Sequence, residues 1–431
     1  MSSSESLRTG QRWRRIIPVA LAMYTIAYID RTNISLALPS LSAELHMGPE
    51  QAGNAAGIFF WGYLLLQIPG GYLAERWSAK RVVSILLVFW GACATATGLV
   101  TTAREFWVMR LLLGVAEGGV FPATIILLAH WFPPAERARA NAYWMLCQPL
   151  AIVVSSPLSG WILGHWNWRV LLVAEGALPF LWLPVWSRAI DDQPATARWL
   201  PPQEREYLLQ ALSPNPQARA RDPIGPIALP LIDPPTVMLV AVYFFLNCGG
   251  YGYLFWLPSA LQAVKKLPSF WLGILFAIPY LLAGAGMVVN SRHSDATRER
   301  YLHVALPLLL SGILLFASVL SSRSSPLLSF VLVCLTGAGF YSSLGPLWAI
   351  PSESLRTRSP GVAAGFVNAI GALGGYFGPL LVGMLRELRG DFRVAFAALS
   401  ASFLLAGMLA LLMKLTCRPA LEATPRRRDG E

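Results

Sequence analysis

Apolar residues gather into runs of roughly twenty along this chain, long enough for a helix to cross a hydrocarbon core about 30 Å thick. The runs fall at residues 14–40, 51–74, 81–102, 105–131, 138–163, 168–188, 236–263, 270–290, 301–321, 326–350, 360–385 and 392–416. Polar and charged residues collect between them. The longest interruption, 189–235, is rich in Pro and charge, and its stretch from Pro202 to Leu212 reads as one short amphipathic helix; the rest reads as a linker. The pattern predicts an all-α membrane protein with twelve transmembrane helices in two pseudo-symmetric six-helix bundles. Its parts are a tail at 1–13, a bundle at 14–188, the linker at 189–235, a bundle at 236–416 and a tail at 417–431. A faint repeat relates the halves. The fifth span holds SSPLSGW (Ser155 to Trp161) before NWRVLL, and the eleventh holds FGPLLVG (Phe377 to Gly383) before DFRVAF. Paired bundles of this kind suit a transporter with its site between the halves near mid-membrane.

Composition agrees with the pattern. The chain is 55% hydrophobic and 13% charged, with a mean hydropathy of +0.52. Its net charge of +11 would suit a nucleic-acid partner only if the basic residues shared one face. They follow topology instead. Of the 34 Lys and Arg, 24 lie on the side of the N-terminus and 8 on the other, with Arg31 and Arg110 inside spans. This asymmetry predicts both termini in the cytoplasm. Arg greatly outnumbers Lys, which suggests a GC-rich bacterial genome and hence the bacterial inner membrane. Five cysteines lie in or beside apolar spans without metal spacing and read as small hydrophobes. No P-loop, GxGxxG or nucleophile–base set is present, so an enzyme is disfavoured and no cofactor is expected.

Chemistry enters where charge interrupts the apolar runs. Asp30 and Arg31 lie within the first span, Arg110 and Glu117 within the fourth. Such residues cost roughly 2.5–3.5 kcal/mol each at a helix centre and usually mark an ion or substrate pathway. Arg110 and Glu117 are seven residues apart, nearly two turns, and share a helix face. The four formal charges cancel, which is how buried charge is tolerated; a purely structural salt-bridge network is the other reading. The second half has no ionisable residue at mid-depth. It offers Asn247, Ser342, Ser343 and Asn368 with Tyr251, Tyr253, Trp256 and Trp348. The amides Gln148 and Asn368 lie on equivalent helices and could bond a substrate or bridge helices. The eleventh span is rich in glycine, which lets helices approach closely.

These segments resemble a known group. GGYLAERWSAKR (Gly70 to Arg81) is similar to the loop signature between the second and third helices of the major facilitator superfamily. Within it, YIDRTNISLALP, QIPGGYLAER, RLLLGVAEGGVFPA, HWFPPAERARANA, NWRVLLVAEGALP and YGYLFWLP resemble the anion:cation symporter family, over almost the whole chain. The resemblance implies the major facilitator fold and proton-driven transport of organic anions such as hexonates, hexuronates, tartrate, phthalate or 4-hydroxyphenylacetate. It implies that Arg31 holds the substrate carboxylate and that Asp30 and Glu117 are proton-coupling acids, with Arg110 as partner of the fourth-helix acid. Tyr28, Tyr63, Gln148, Trp348 and Asn368 match substrate-site positions. Glu75, Arg76, Lys80 and Arg81 match a cytoplasmic gating network, although Trp77-Ser78 departs from its usual turn. The eighth-span counterpart departs further, at Asn290, Ser291 and Ala296.

The residues supply a charge argument of their own. With both acids ionised the four charges sum to zero, so a monocarboxylate brings an uncompensated negative charge into low dielectric. Protonating Asp30 or Glu117 restores neutrality and frees an Arg, whose planar fork grips a carboxylate in two places. The expected partners are a small organic anion, protons and membrane lipid, with no nucleic acid, and the expected state is a monomer. Two alternatives remain: a proton-coupled exporter of a drug or metabolite, and a non-transporting membrane sensor. The central loop is too short for a sensor's soluble output domain. Sugar acids, aromatic acids and dicarboxylates fit the residues equally well.

Overall fold

The computed structural model describes residues 10–212, 233–264, 266–353 and 360–416. All regular structure among these residues is helical. Ten stretches are long and apolar enough to cross a membrane, and one of them, Pro49–Thr97, contains both the second and the third predicted spans. These are separated at Ser78, which leaves the helix in extended conformation and accepts a hydrogen bond from Arg81 N at 3.0 Å. The first span, Gln11–Thr32 continued by Ile34–Glu44, is not among the ten, because Asp30, Arg31 and the N-terminal arginines lower its hydropathy. Twelve spans result, at the positions the apolar runs predict.

Several spans are broken near mid-depth: the first at Asn33, the fourth at Gly119, the fifth at Leu146, the sixth at Ala177. Interrupted helices are tolerated at membrane depth only where protein or a cavity receives the freed backbone groups. The second, tenth and eleventh spans are interrupted as well, at Ile58, Ser343 and Ala372-Leu373, and the breaks of the first, fourth and sixth spans come two residues after Arg31, Glu117 and Glu175.

Residues 1–9, 213–232 and 417–431, which hold most of both tails and the second half of the linker, lie outside the described residues. The first part of the linker is no loose tether. Its helix, Pro202–Ala211, docks on the first bundle through Arg12. That guanidinium is fully buried and bonds Glu204 Oε1 and Glu136 Oε2, each at 2.7 Å. Trp199 stacks on Trp131 at 5.1 Å and donates to Asp191. A buried cation satisfied by two carboxylates is a costly arrangement to break, so residues 189–212 belong to the first bundle.

The two halves meet most closely at the end of the bundle opposite the chain termini, called here the distal end. The second and eleventh spans touch where Gly53 lies against the Pro379 carbonyl, where Tyr376 Oη donates to Asn54 Oδ1 at 3.1 Å, and where Glu50 N donates to Glu387 at 3.0 Å. The fifth and eighth spans cross at Gly160 and Gly273. A Cβ on Gly160 would come within 2.5 Å of the Ser269 carbonyl oxygen, and one on Gly273 would strike that of Ser156. Only glycine permits this backbone approach.

Candidate functional site

Between the halves, near mid-depth, lies one small cavity. It is lined from the first half by Tyr24, Tyr28, Arg31, Tyr63 and Gln148, and from the second by Tyr243, Asn247, Tyr251, Trp348 and Asn368, among others. All six residues expected to bind substrate (Arg31, Tyr28, Tyr63, Gln148, Trp348 and Asn368) therefore share one wall-to-wall space. Helical spacing explains the grouping. Tyr24, Tyr28 and Arg31 follow each other by four and three residues on one helix face, as Tyr243, Asn247 and Tyr251 do by four and four. Tyr24 and Tyr243 were not picked out from sequence, although this spacing relative to Arg31 and Asn247 was the signal. The free volume is about 20 Å³, room for about one water; the conformation is contracted around its centre. A larger groove of about 400 Å³ between Ile313, Phe316, Leu320 and Leu404 lies on the outer apolar surface, away from every buried charge.

Among the described residues, Arg31 is the only charged one lining the cavity. Its guanidinium is enclosed by the rings of Tyr28, Phe59 and Tyr63, 4.7–4.9 Å from their centroids. These faces attract a cation. Behind it, Nη2 and Nε reach one oxygen of Glu117, at 2.9 and 3.3 Å. The second oxygen of Glu117 is buried without a partner. Asp30, the next residue in sequence, points the other way. Its Oδ2 accepts from Trp90 Nε1 of the third span at 2.7 Å, and its Oδ1 has no partner. The adjacency of Asp30 and Arg31 thus serves two places, one facing the cavity and one inside the bundle.

Arg110 departs from expectation. It forms no ion pair with Glu117 among the described residues; it donates to the carbonyl oxygens of Asp30 at 3.2 Å and Arg31 at 3.4 Å. Those carbonyls belong to the last turn before the Asn33 break, where the helix leaves acceptors open. Arg110 therefore holds the first span in place, and Glu117 reaches Arg31 instead. The four gating residues are not brought together either. Lys80 lies 3.7 Å from Asp191, Arg76 and Arg81 lie over the rings of Tyr72 and Trp77, and Glu75 is exposed. The polar contacts at this end run through Ser78 and Lys80 N to Asp192. Halves are bridged at mid-depth by Asn368 Nδ2, which donates to Gln67 Oε1 at 3.1 Å.

The four charges expected at mid-depth are joined there by a fifth ionisable residue. Glu175 of the sixth span is 3% exposed and touches Ser159 of the fifth. An acid inside an apolar run is the signal that marks Glu117, and Glu175 carries it equally.

Comparison with known proteins places this geometry. The family description Major Facilitator Superfamily matches residues 20–379. A protein of Agrobacterium vitis named as a tartrate transporter is 32% identical over 93% of each chain. The Quinolone resistance transporter of Acinetobacter baumannii is 29% identical over 90% of each. A protein of Escherichia coli K12 named for galactarate/D-glucarate transport, GarP, is 26% identical over 94% of this chain and 96% of its own. Among solved structures, a bacterial homolog of the human lysosomal transporter Spinster, inward-facing and occupied, superposes with a TM-score of 0.77 at 16% identity, covering 94% of this chain and 98% of its own. That likeness concerns the fold. The relatives are transporters, not enzymes.

Proposed function

The chain belongs to the Major Facilitator Superfamily, as a multi-pass integral membrane transporter with organic-acid transporters among its relatives, and from that premise we propose that it carries a small organic carboxylate into the cell together with protons. The setting is the bacterial inner membrane, with both termini in the cytoplasm, and the unit is a monomer that alternates access by rocking its halves. With that orientation the tight distal seam is the periplasmic one, and the contracted cavity opens next toward the cytoplasm.

The observation that carries the reading is the Arg31–Glu117 pair. Arg31 faces the cavity, yet its charge is already taken by Glu117. A carboxylate arriving at Arg31 must displace Glu117. A displaced, ionised Glu117 is a buried charge without a partner, which costs several kcal/mol. If Glu117 takes a proton as the anion arrives, the cost disappears. Anion and proton then favour each other's binding reciprocally. Asp30, the residue before Arg31 and held by Trp90, is the second acid proposed to take part in proton coupling.

The test is transport in liposomes with L-tartrate and D-glucarate as probes. Glu117→Gln and Asp30→Asn should abolish accumulation driven by a pH gradient while retaining exchange of labelled for unlabelled anion. Full gradient-driven accumulation in both variants removes the assignment. An exporter is the second reading, favoured by the quinolone-resistance relative and by the aromatic lining of the cavity. Everted vesicles discriminate: an exporter moves its cargo into them in exchange for protons, whereas the proposed symporter moves anion with protons.

A further inference from the structure

Glu175 is a buried acid to which neither the cavity nor the Arg31–Glu117 pair gives a role. Its surroundings count protons. Ser159 Oγ lies 2.8 Å from the Ser155 carbonyl oxygen and 2.6 Å from Glu175 Oε1. A hydroxyl has one proton to donate and a carbonyl oxygen only accepts. Ser159 can give its proton to only one of the two oxygens, so both contacts are hydrogen bonds at once only when Glu175 carries a proton of its own. Both distances fall in the range of O–H···O bonds. No cation stands by to make the ionised form affordable. Arg169, on the same helix and about 9 Å toward the distal end, is bound to Glu44 and to the carbonyls of Gly98 and Val100. The first span presents Asp30 and Asn33, the third the thiol of Cys93, and the fifth only serines until the exposed His165. With Glu175 neutral, the remaining four charges at mid-depth cancel.

A second observation gives this proton a direction. Among the buried oxygens without a partner are Glu175 Oε2, Asn33 Oδ1, Asp30 Oδ1 and Glu117 Oε1. The Asn33 side chain lies beside the Glu175 carboxyl. Asn33 is one helical turn after Asp30, at the break in the first span. Asp30 in turn precedes Arg31, whose guanidinium bonds Glu117 at 2.9 Å. Buried acceptors left open are where bridging waters or shared protons belong.

We propose that Glu175, Asn33 and Asp30 form a proton route from the distal face to the Arg31–Glu117 pair, with Glu175 as its loaded entry. The inference rests on the proton-symport reading. In the first transfer the Glu175 O–H bond breaks, its electron pair stays on the carboxylate, and the proton passes through the Asn33 site to the Asp30 carboxylate. Net charge is unchanged, and Glu175 is reloaded from distal water.

Glu175→Gln is the decisive variant. The amide keeps the size of the side chain and can donate to Ser159, so folding is retained, but it releases no proton. In full-length protein reconstituted with L-tartrate and D-glucarate, labelled-anion exchange should stay near wild type. Uptake driven by a pH gradient should fall about a hundredfold, the lower end of what removing a positioned proton-transfer group costs. Infrared difference spectra of the purified protein between acid and alkaline pH should lose one protonated-carboxyl band. Asn33→Ala should slow gradient-driven uptake and leave that band in place. Unchanged gradient-driven uptake in Glu175→Gln, or an unchanged infrared band, overturns the proposal. A wild-type protein that exchanges these anions without responding to pH overturns the symport reading and the route with it, even where infrared still finds the proton on Glu175.

Discussion

The two halves share a helical plan but fill it differently. The interior of the first half holds Asp30, Arg31, Arg110, Glu117 and Glu175, all at most 3% exposed. Their bonds run between helices: first span to third through Trp90, first to fourth through Glu117 and Arg110, fifth to sixth through Ser159. Among the described residues, the interior of the second half is uncharged. Its polar groups mostly satisfy backbone carbonyls, as when Asn247 donates to the carbonyls of Tyr243 and Gly371, Tyr253 to Val333 and Trp256 to Pro379. One half can change its charge; the other can only reshape hydrogen bonds and aromatic surface. On the proposed function, proton sensitivity then belongs to the first half, and the second supplies a fitted wall.

The largest expected effect comes from emptying the charged half of its cation. Arg31→Ala leaves Glu117 buried and uncompensated, a loss of about 3–5 kcal/mol for a broken buried pair. Thermal unfolding of the purified variant should drop sharply, with no stabilisation by L-tartrate or D-glucarate. The double variant Arg31→Ala/Glu117→Gln removes the stranded charge and should regain most of the stability while still failing to bind. Anion-dependent stabilisation of the double variant would erase the distinction between the halves, since binding would then need no cation.

Much of this division was legible in the sequence, because a charge inside an apolar run is conspicuous and helix periodicity says which neighbours share its face. That is why the six expected substrate residues line one cavity. Pairing was less legible. Nothing in the spacing of Arg110 and Glu117 reveals that a break at Asn33 opens carbonyls for Arg110, leaving Glu117 to Arg31. Glu175 was readable by the same rule as Glu117 and was missed. The docking of Pro202–Ala211 depended on a single residue, Arg12, which reads in sequence as one more basic residue at a helix start. Burial by a segment nearly two hundred positions away leaves no local trace. The gating signature was recognisable as a string, but whether its charges meet depends on the conformation of the bundle.

A middle-sized effect should come from the seam that joins the unlike halves. Gly160→Ala places a Cβ about 2.5 Å from the Ser269 carbonyl oxygen. Such overpacking costs about 1–3 kcal/mol, and the fifth and eighth spans can avoid it by parting at the distal end. The cost falls on the distally closed state alone, so the balance should move toward a distally open one by roughly tenfold or more. Spin labels at Gln51 and Glu387, on opposite sides of the seam, should report a longer distance in the variant. An unchanged distance with normal folding would mean that the halves move as one body at this end.

The smallest effect, and the sharpest test of the contrast, is on the uncharged side. Asn368 donates to Gln67 across the halves and accepts from Tyr243 at 3.4 Å. Hydrogen bonds between helices in membranes average about 0.6 kcal/mol, so Asn368→Ala should change the half-saturation concentration for L-tartrate exchange by about threefold. The size matters less than its dependence on pH. An amide carries no titrating proton, and its partners Gln67 and Tyr243 stay neutral through the physiological range. The factor should therefore be the same at acid and neutral pH, whereas Glu117→Gln should flatten the pH dependence itself. Should Asn368→Ala shift the pH profile, the second half takes part in proton coupling, and the assignment of charge to one half and shape to the other fails.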